Sequence, residues 1–298
     1  MEHNHNHTHV QIDYNKAFAF GIILNVIYII VEFVFGLRIN SMALIADAGH
    51  NLSDVLGLLL AWGASYLARS STTNRRTYGL RKSTILAAFF NAIILLIAVG
   101  AISIEAIRKI IEPQPIGGTT MMIVAGIGVV INSLTALLFL KGKENDINIK
   151  GAFMHMAADA GVSLGVVAAG LVIIYTNWLW LDPAISLLIV FVITIGTWGL
   201  LKESFMLSMD AVPNKINVSK VKQYLKSFPI VKDIHDLHIW GMSTTETALS
   251  VHIVLKDFPT NNKFVETINT KLHKDFGIDH PTIQLELESE TNNCEKCP

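Results

Sequence analysis

The stretch SMALIADAGHNLSDVLGLLLAWGASYL, residues 41–67, decides how the whole chain is read. As a helix it is long enough to cross hydrocarbon, which takes about 20 residues, yet it carries Asp47, His50 and Asp54. On a helix these three share one face, at i, i+3 and i+7. An ionisable group at membrane depth costs roughly a few kcal/mol or more, so it implies a partner or an aqueous path. The same spacing recurs in a second apolar run as His155 and Asp159. Two imidazoles and two carboxylates are enough ligands for a tetrahedral zinc shell, and with Zn2+ the formal charge sums to zero. The pattern His50, Asp54, His155 and Asp159 therefore reads as a site for a divalent metal inside a membrane.

Working outward, six apolar runs can span a bilayer: Ala17–Leu37, Met42–Leu67, Thr84–Ile107, Met121–Leu140, Ala152–Tyr175 and Leu179–Leu201. The chain has 298 residues, 51% hydrophobic and only 16% charged, where a soluble protein carries about 25% charged residues. The charges are scarce before Asp210 and dense after it. This predicts a histidine-rich segment at 1–15, a six-helix membrane domain at 16–208, a cytoplasmic domain at 209–288 and a tail at 289–298. The net charge of −1 gives no global field for nucleic acid. The polar N-terminus predicts no cleavable signal peptide. Arg69, Arg75, Arg76, Arg81 and Lys82 follow span two, and Lys141, Lys143 and Lys150 follow span four, against Arg38, Arg108 and Lys109 on the other side. That bias puts the basic loops and both termini in the cytoplasm. The loop Arg69–Lys82 has no His, Asp, Glu or Cys. It predicts contact with anionic lipid headgroups rather than a metal.

After Asp210 the periodicity changes. Helices at Val218–Phe228 and Lys263–Phe276 and strands at Asp233–Gly241, Ala248–Leu255 and Thr282–Glu288 give the order αββαβ. This is a small ferredoxin-like or metallochaperone-like α+β domain, an open sheet with helices on one face. His235 and His252 lie on the first two strands and can meet across them. His238 reads as a packing residue beside Trp240, and His273 as an exposed helix residue. Cys294 and Cys297 form a Cys-x-x-Cys with no disulfide partners elsewhere, fitting a reduced compartment as metal ligands or free thiols. His3, His5, His7 and His9 alternate at the N-terminus, either as a low-affinity metal-capture segment or as a cloning remnant.

Within the spans, Asp47 reads as the acceptor that orients His50, because a ligand histidine needs a partner for its other N–H. A residue of the access path and a contact between helices are the alternatives. Glu32 and Asn25 read as structural or cavity-lining groups and Ser163 as a small interface residue. Gly161 and Gly165 form a Gly-x-x-x-Gly that predicts close helix packing.

The run Ser41–Asp54 resembles the span-two motif of the cation diffusion facilitator family, and Thr77–Lys82, His155–Asp159, Trp180–Pro183 and His235–Trp240 recur in the same order. The resemblance covers nearly all of the chain after about residue 15 and is nearest the zinc-transporting branch. It implies a homodimer, an alternating-access fold in a bacterial inner membrane, and zinc efflux from the cytoplasm in exchange for protons. It also implies a cytoplasmic zinc site at positions matching His235, His252, His280 and Glu286, with Cys294 and Cys297.

No Gly-x-x-x-x-Gly-Lys-Ser/Thr loop is present, so the expected energy source is a gradient rather than a nucleotide. Zinc and protons compete for the same lone pairs, which makes proton exchange the natural partner reaction. Mixed nitrogen and oxygen ligands suit zinc, with Co2+, Cd2+ or Fe2+ as alternative cargo. A membrane-anchored metal sensor leaves six ligand-bearing spans unexplained. An intramembrane metalloprotease would carry His-Glu-x-x-His, whereas Asn51 and Met156 follow the two histidines.

Overall fold

A computed structural model describes residues 14–140, 147–257 and 263–288. Six long helices come first: α1 Tyr14–Arg38, α2 Met42–Ala68, α3 Ser83–Ile111, α4 Gly118–Phe139, α5 Ile147–Thr176 and α6 Leu181–Ser208. Among the described residues, α2 to α6 each contain a stretch long and apolar enough to cross a membrane. α1 is the sixth helix of this region. Proline punctuates these helices as its chemistry requires. Pro113 and Pro115 lie in the gap between α3 and α4, and Pro183 sits in the first turn of α6, where its missing N–H costs nothing.

Contacts divide the chain into two units, the first built from residues 1–56 and 95–196 and the second from 57–94 and 197–298. The first unit is helical, with a core of Ala43, Leu44, Met121, Val124, Val166, Ala169 and Ile173. α4 and α5 approach closely at Gly118 and Gly170: a Cβ on either glycine would stand 3.2 Å from the other's carbonyl oxygen. Small residues at such crossings are what lets two backbones pack in a bilayer. The glycine pair expected to do this, Gly161 and Gly165, has open space where a Cβ would stand, with nothing within 4 Å among the described residues. The expectation there is corrected, because spacing along one helix does not say which face its neighbour takes.

Asp182, fully buried in the first turn of α6, anchors the start of α2. It accepts hydrogen bonds from Ser41 Oγ at 2.5 Å, Met42 N at 2.6 Å and Ala43 N at 3.2 Å. The first N–H groups of a helix have no partner within it and carry the positive end of its dipole. A carboxylate from another helix satisfies both needs and fixes where α2 begins.

In the second unit, α7 Val218–Lys226, β1 Val231–Gly241, β2 Thr247–Leu255, α8 Lys263–Phe276 and β3 His280–Leu287 give the order αββαβ. The sheet order is β1-β2-β3, antiparallel between β1 and β2 and parallel between β2 and β3, so α8 makes the crossover. Val221 and Leu225 of α7 and Ile268 and Leu272 of α8 are buried against Leu249, Val251, Ile253 and Leu255 of β2. Asn217 caps α7 by accepting from Lys220 N at 3.1 Å. Gly277, at φ +65°, closes α8 with the left-handed turn that glycine permits. The loop after α2 is bonded to this domain: Lys82 Nζ lies 2.6 Å from Asp210 Oδ1 and Arg81 NH1 2.7 Å from Glu246 Oε2.

Candidate metal centre

In the first unit, α2 presents His50 and Asp54 one turn apart, and α5 presents His155 and Asp159 in the same way. The four close a ring of contacts. His50 Nε2 stands 3.7 Å from Asp54 Oδ2 and 3.7 Å from Asp159 Oδ1, while His155 Nε2 stands 3.3 Å from Asp54 Oδ2 and 3.6 Å from Asp159 Oδ2. The two imidazole centroids are 6.1 Å apart with the rings edge to face. Donors bound tetrahedrally at zinc distances are separated by about 3.3 Å, the edge of a tetrahedron with ~2.0 Å arms. Each carboxylate thus faces one histidine of its own helix and one of the other. Asp159 is 3% exposed and His155 42%, so the ring is closed behind one member and open beside another. Asp54 Oδ2 and Asp159 Oδ2 are buried without a hydrogen-bond partner among the described residues. Buried acceptors of this kind are costly unless something else binds them.

Asp47 does not orient His50. Its Oδ2 accepts from Ser163 Oγ on α5 at 3.1 Å, and His50 Nδ1 is buried without a partner among the described residues. Both side chains face α5, Asp47 meeting Ser163 and His50 meeting Asp159, so sharing a face does not make one orient the other.

A second cluster lies on the sheet. The register pairs His235 with His252 and Val254 with Glu286, which brings three side chains together. His235 Nε2 is 3.0 Å from Glu286 Oε2, His252 Nδ1 is 2.6 Å from Glu286 Oε1, and all three ligand atoms lie within 4.8 Å of one another. Partial burial of Glu286 acts to raise its pKa, but the contacts from His235 and His252 outweigh this and hold the carboxyl below its usual range. A one-residue bulge between His235 and His238 puts Asp236 at φ +51°. Asp236 Oδ1 meets His238 Nε2 at 2.8 Å, and its Oδ2 is 3.7 Å from His252 Nε2. The hydrogen bond with His238 holds the Asp236 carboxyl low. His238 is exposed and bonded to Asp236, so its main contact is polar rather than the packing expected of it.

His280 stands apart from this cluster. It opens β3 opposite Ala248, and its Nε2 is 2.8 Å from Arg81 NH1. Six residues along one strand separate it from Glu286, roughly 20 Å at the strand rise. His273 is exposed, 3.4 Å from Asp279. Cys294, Cys297, His3, His5, His7 and His9 lie outside the described residues.

The sequence matches two family models, a cation efflux transmembrane domain over residues 19–207 and a cation efflux protein cytoplasmic domain over 213–288. Among curated proteins it is 35% identical to a cation efflux system protein, CzcD, of Alcaligenes sp. (strain CT14), over 87% of this chain and 83% of that one. It is 34% identical to a cadmium, cobalt and zinc/H(+)-K(+) antiporter of Bacillus subtilis, over 89% and 87% respectively. The zinc transporter ZitB of Escherichia coli is 33% identical, over 91% and 86%.

Proposed function

The chain belongs to the cation efflux family, and from that premise we propose that it exports Zn2+ from the cytoplasm in exchange for protons. It is a divalent-metal efflux transporter rather than an enzyme, and an integral multi-pass membrane protein. The observation that carries the zinc reading is the ring of His50, Asp54, His155 and Asp159, with contacts of 3.3–3.7 Å. Zn2+ is the cargo of this ring. Two carboxylates neutralise it, and two neutral imidazoles set its preference over magnesium or calcium, which favour all-oxygen shells. Cobalt and cadmium fit the same donors less selectively.

Proton coupling follows from the ligands. Imidazole titrates at about 6.5 when unperturbed and binds metal only when neutral. An outward-facing ring at lower pH exchanges its metal for protons. The ring then returns inward protonated and releases protons to the cytoplasm, completing alternating access. The basic loop after α2 and the C-terminal domain are bonded through Arg81 and Lys82, so they share one side of the membrane. By the positive-inside bias that side is the cytoplasm, of a bacterial inner membrane. The C-terminal domain pairs with its copy in a homodimer.

A resident zinc in that domain would be held by His235, His252 and Glu286, two imidazole nitrogens and a carboxylate already converging. Asp236 Oδ2 lies 3.7 Å from the other nitrogen of His252, beyond hydrogen-bond reach. There the metal would supply a rigid cross-link between β1, β2 and β3. Zinc flux into proteoliposomes tests the main reading. Wild type should accumulate zinc when the lumen is acid, and Asp54→Ala and Asp159→Ala should not. Equal flux in all three would remove the ring as the cargo site.

A further inference from the structure

Beside the ring lies a second polar pocket that the cargo site does not use. Glu32 of α1 and Asp47 of α2 are both fully buried. Glu32 Oε1 accepts from the Tyr28 hydroxyl at 2.7 Å and Asp47 Oδ2 from Ser163 Oγ at 3.1 Å, while Glu32 Oε2 and Asp47 Oδ1 have no hydrogen-bond partner among the described residues. Asn51, one turn beyond Asp47, lies beside the Glu32 carboxyl with its Nδ2 buried and unbonded. α4 covers the pocket with a glycine. A Cβ at Gly128 would collide with the Tyr28 hydroxyl and stand 3.1 Å from Ser163 Oγ. Asn132, one turn further on that face of α4, is fully buried with neither polar atom bonded among the described residues. The groups that face the two carboxyls are thus Tyr28 from α1, Asn51 from α2 and Ser163 from α5, with His50 and Asp159 the next titratable groups near Asp47.

None of these neighbours is a lysine or arginine. Two carboxylates desolvated side by side without a cation cannot both stay ionised, because burial and mutual repulsion each favour the neutral form. We propose that Glu32 and Asp47 share one bound proton in a site separate from the metal ring, expelled when a divalent cation occupies that ring. Ser163 lies one turn from Asp159 on α5 and donates to Asp47, so it stands between pocket and ring. A divalent cation in the ring adds positive charge beside the pocket and favours the ionised carboxylate, so the O–H bond breaks to give a carboxylate and a proton to water. On metal release the same bond re-forms. This rests on the proton-coupled reading above and deepens it, since it places one exchanged proton between α1 and α2 rather than on a ligand.

The test is infrared difference spectroscopy of the full-length protein in vesicles, with and without Zn2+, alongside protons released per zinc bound in weak buffer. Wild type should lose a protonated-carboxyl C=O band when Zn2+ is added. Glu32→Gln should lack that band and release about one proton fewer per zinc. Tyr28→Phe keeps the carboxyl but removes its donor, so the band should persist and move to higher frequency; it carries the test if Glu32→Gln does not insert. A band and proton count unchanged in Glu32→Gln, or a band unmoved in Tyr28→Phe, would overturn the site. Failure of the antiport reading looks different: wild type itself would bind zinc without releasing protons.

Discussion

The helical ring and the sheet cluster draw on the same chemistry, imidazole and carboxylate, but are assembled in opposite ways. In the ring, each helix supplies a His and an Asp one turn apart, and no contact is shorter than 3.3 Å. On the sheet, three strands supply one residue each, and Glu286 is drawn to 3.0 and 2.6 Å from its two histidines. The sheet carboxylate is satisfied by protein; the ring carboxylates keep buried oxygens without hydrogen-bond partners among the described residues. A site that must take up and give up its ion gains from donors held near tetrahedral spacing with little to rearrange. A site that keeps its ion can tolerate internal bonds that compete with it. On the proposed reading, the difference separates passage from residence.

Substitutions in both sites and one pH scan can break or sharpen this contrast. The largest effect should come from Asp159→Ala, which removes the most buried ring member. Zinc flux should fall at least ~100-fold, more than the loss of an outer partner usually costs. Glu286→Ala should abolish zinc binding by the C-terminal domain while leaving most of the flux. Comparable flux losses in the two variants would erase the distinction between the sites. Next, His50→Asp converts the ring toward an all-oxygen shell. Competition assays should then show weaker zinc binding and a relative gain for manganese or magnesium. Zinc bound as tightly as in wild type would argue that His50 is not a ligand.

Acid should act on the sheet cluster in a defined direction. The Glu286 and Asp236 carboxyls are held below their usual range by histidine contacts. Groups with lowered folded-state values contribute stability that is present above the unfolded values, about 4.3 for Glu and 3.9 for Asp. That contribution disappears as pH falls through the folded values. Amide exchange along the β2–β3 ladder of the metal-free protein should accelerate below about pH 4, and Glu286→Gln should flatten the response. An identical acid response in that variant would place the sensitivity elsewhere.

What the sequence made legible was whatever a single segment encodes. The start of α2 at Met42, the bounds of α8 at Lys263–Phe276 and the paired spacing of the ring all follow from local pattern. The apolar run of α6 ends near Leu201, yet the helix continues to Ser208 through Lys202 and Glu203. Hydropathy marks where hydrocarbon ends, and helical hydrogen bonding does not stop there. What stayed hidden depends on neighbours. Asp47 shares a face with His50 but bonds Ser163; Asp182 looks like an isolated intramembrane acid until the N-terminus of α2 is seen to need it. Glu32 reads as structural from its own helix, and only the convergence of α1, α2, α4 and α5 gives it a pocket.

The smallest effect is the most discriminating for the sheet. The resemblance assigns His280 to the cytoplasmic metal site, but the parallel register carries it to the far end of β3, against Arg81. Arg81 can only donate, so the His280 Nε2 it meets is the accepting nitrogen of a neutral ring. Arg81 also holds Glu246 at 2.7 Å, so losing the imidazole leaves the guanidinium paired. His280→Ala should therefore cost under about 1 kcal/mol, the scale of a partly exposed charged contact, and leave the zinc content of the protein unchanged by elemental analysis. His235→Ala should lower that content by one ion per chain. If His280→Ala also lost an ion, a metal would have to reach His280 from residues beyond those described here or from a second copy of the chain, and the sheet would carry two sites rather than one.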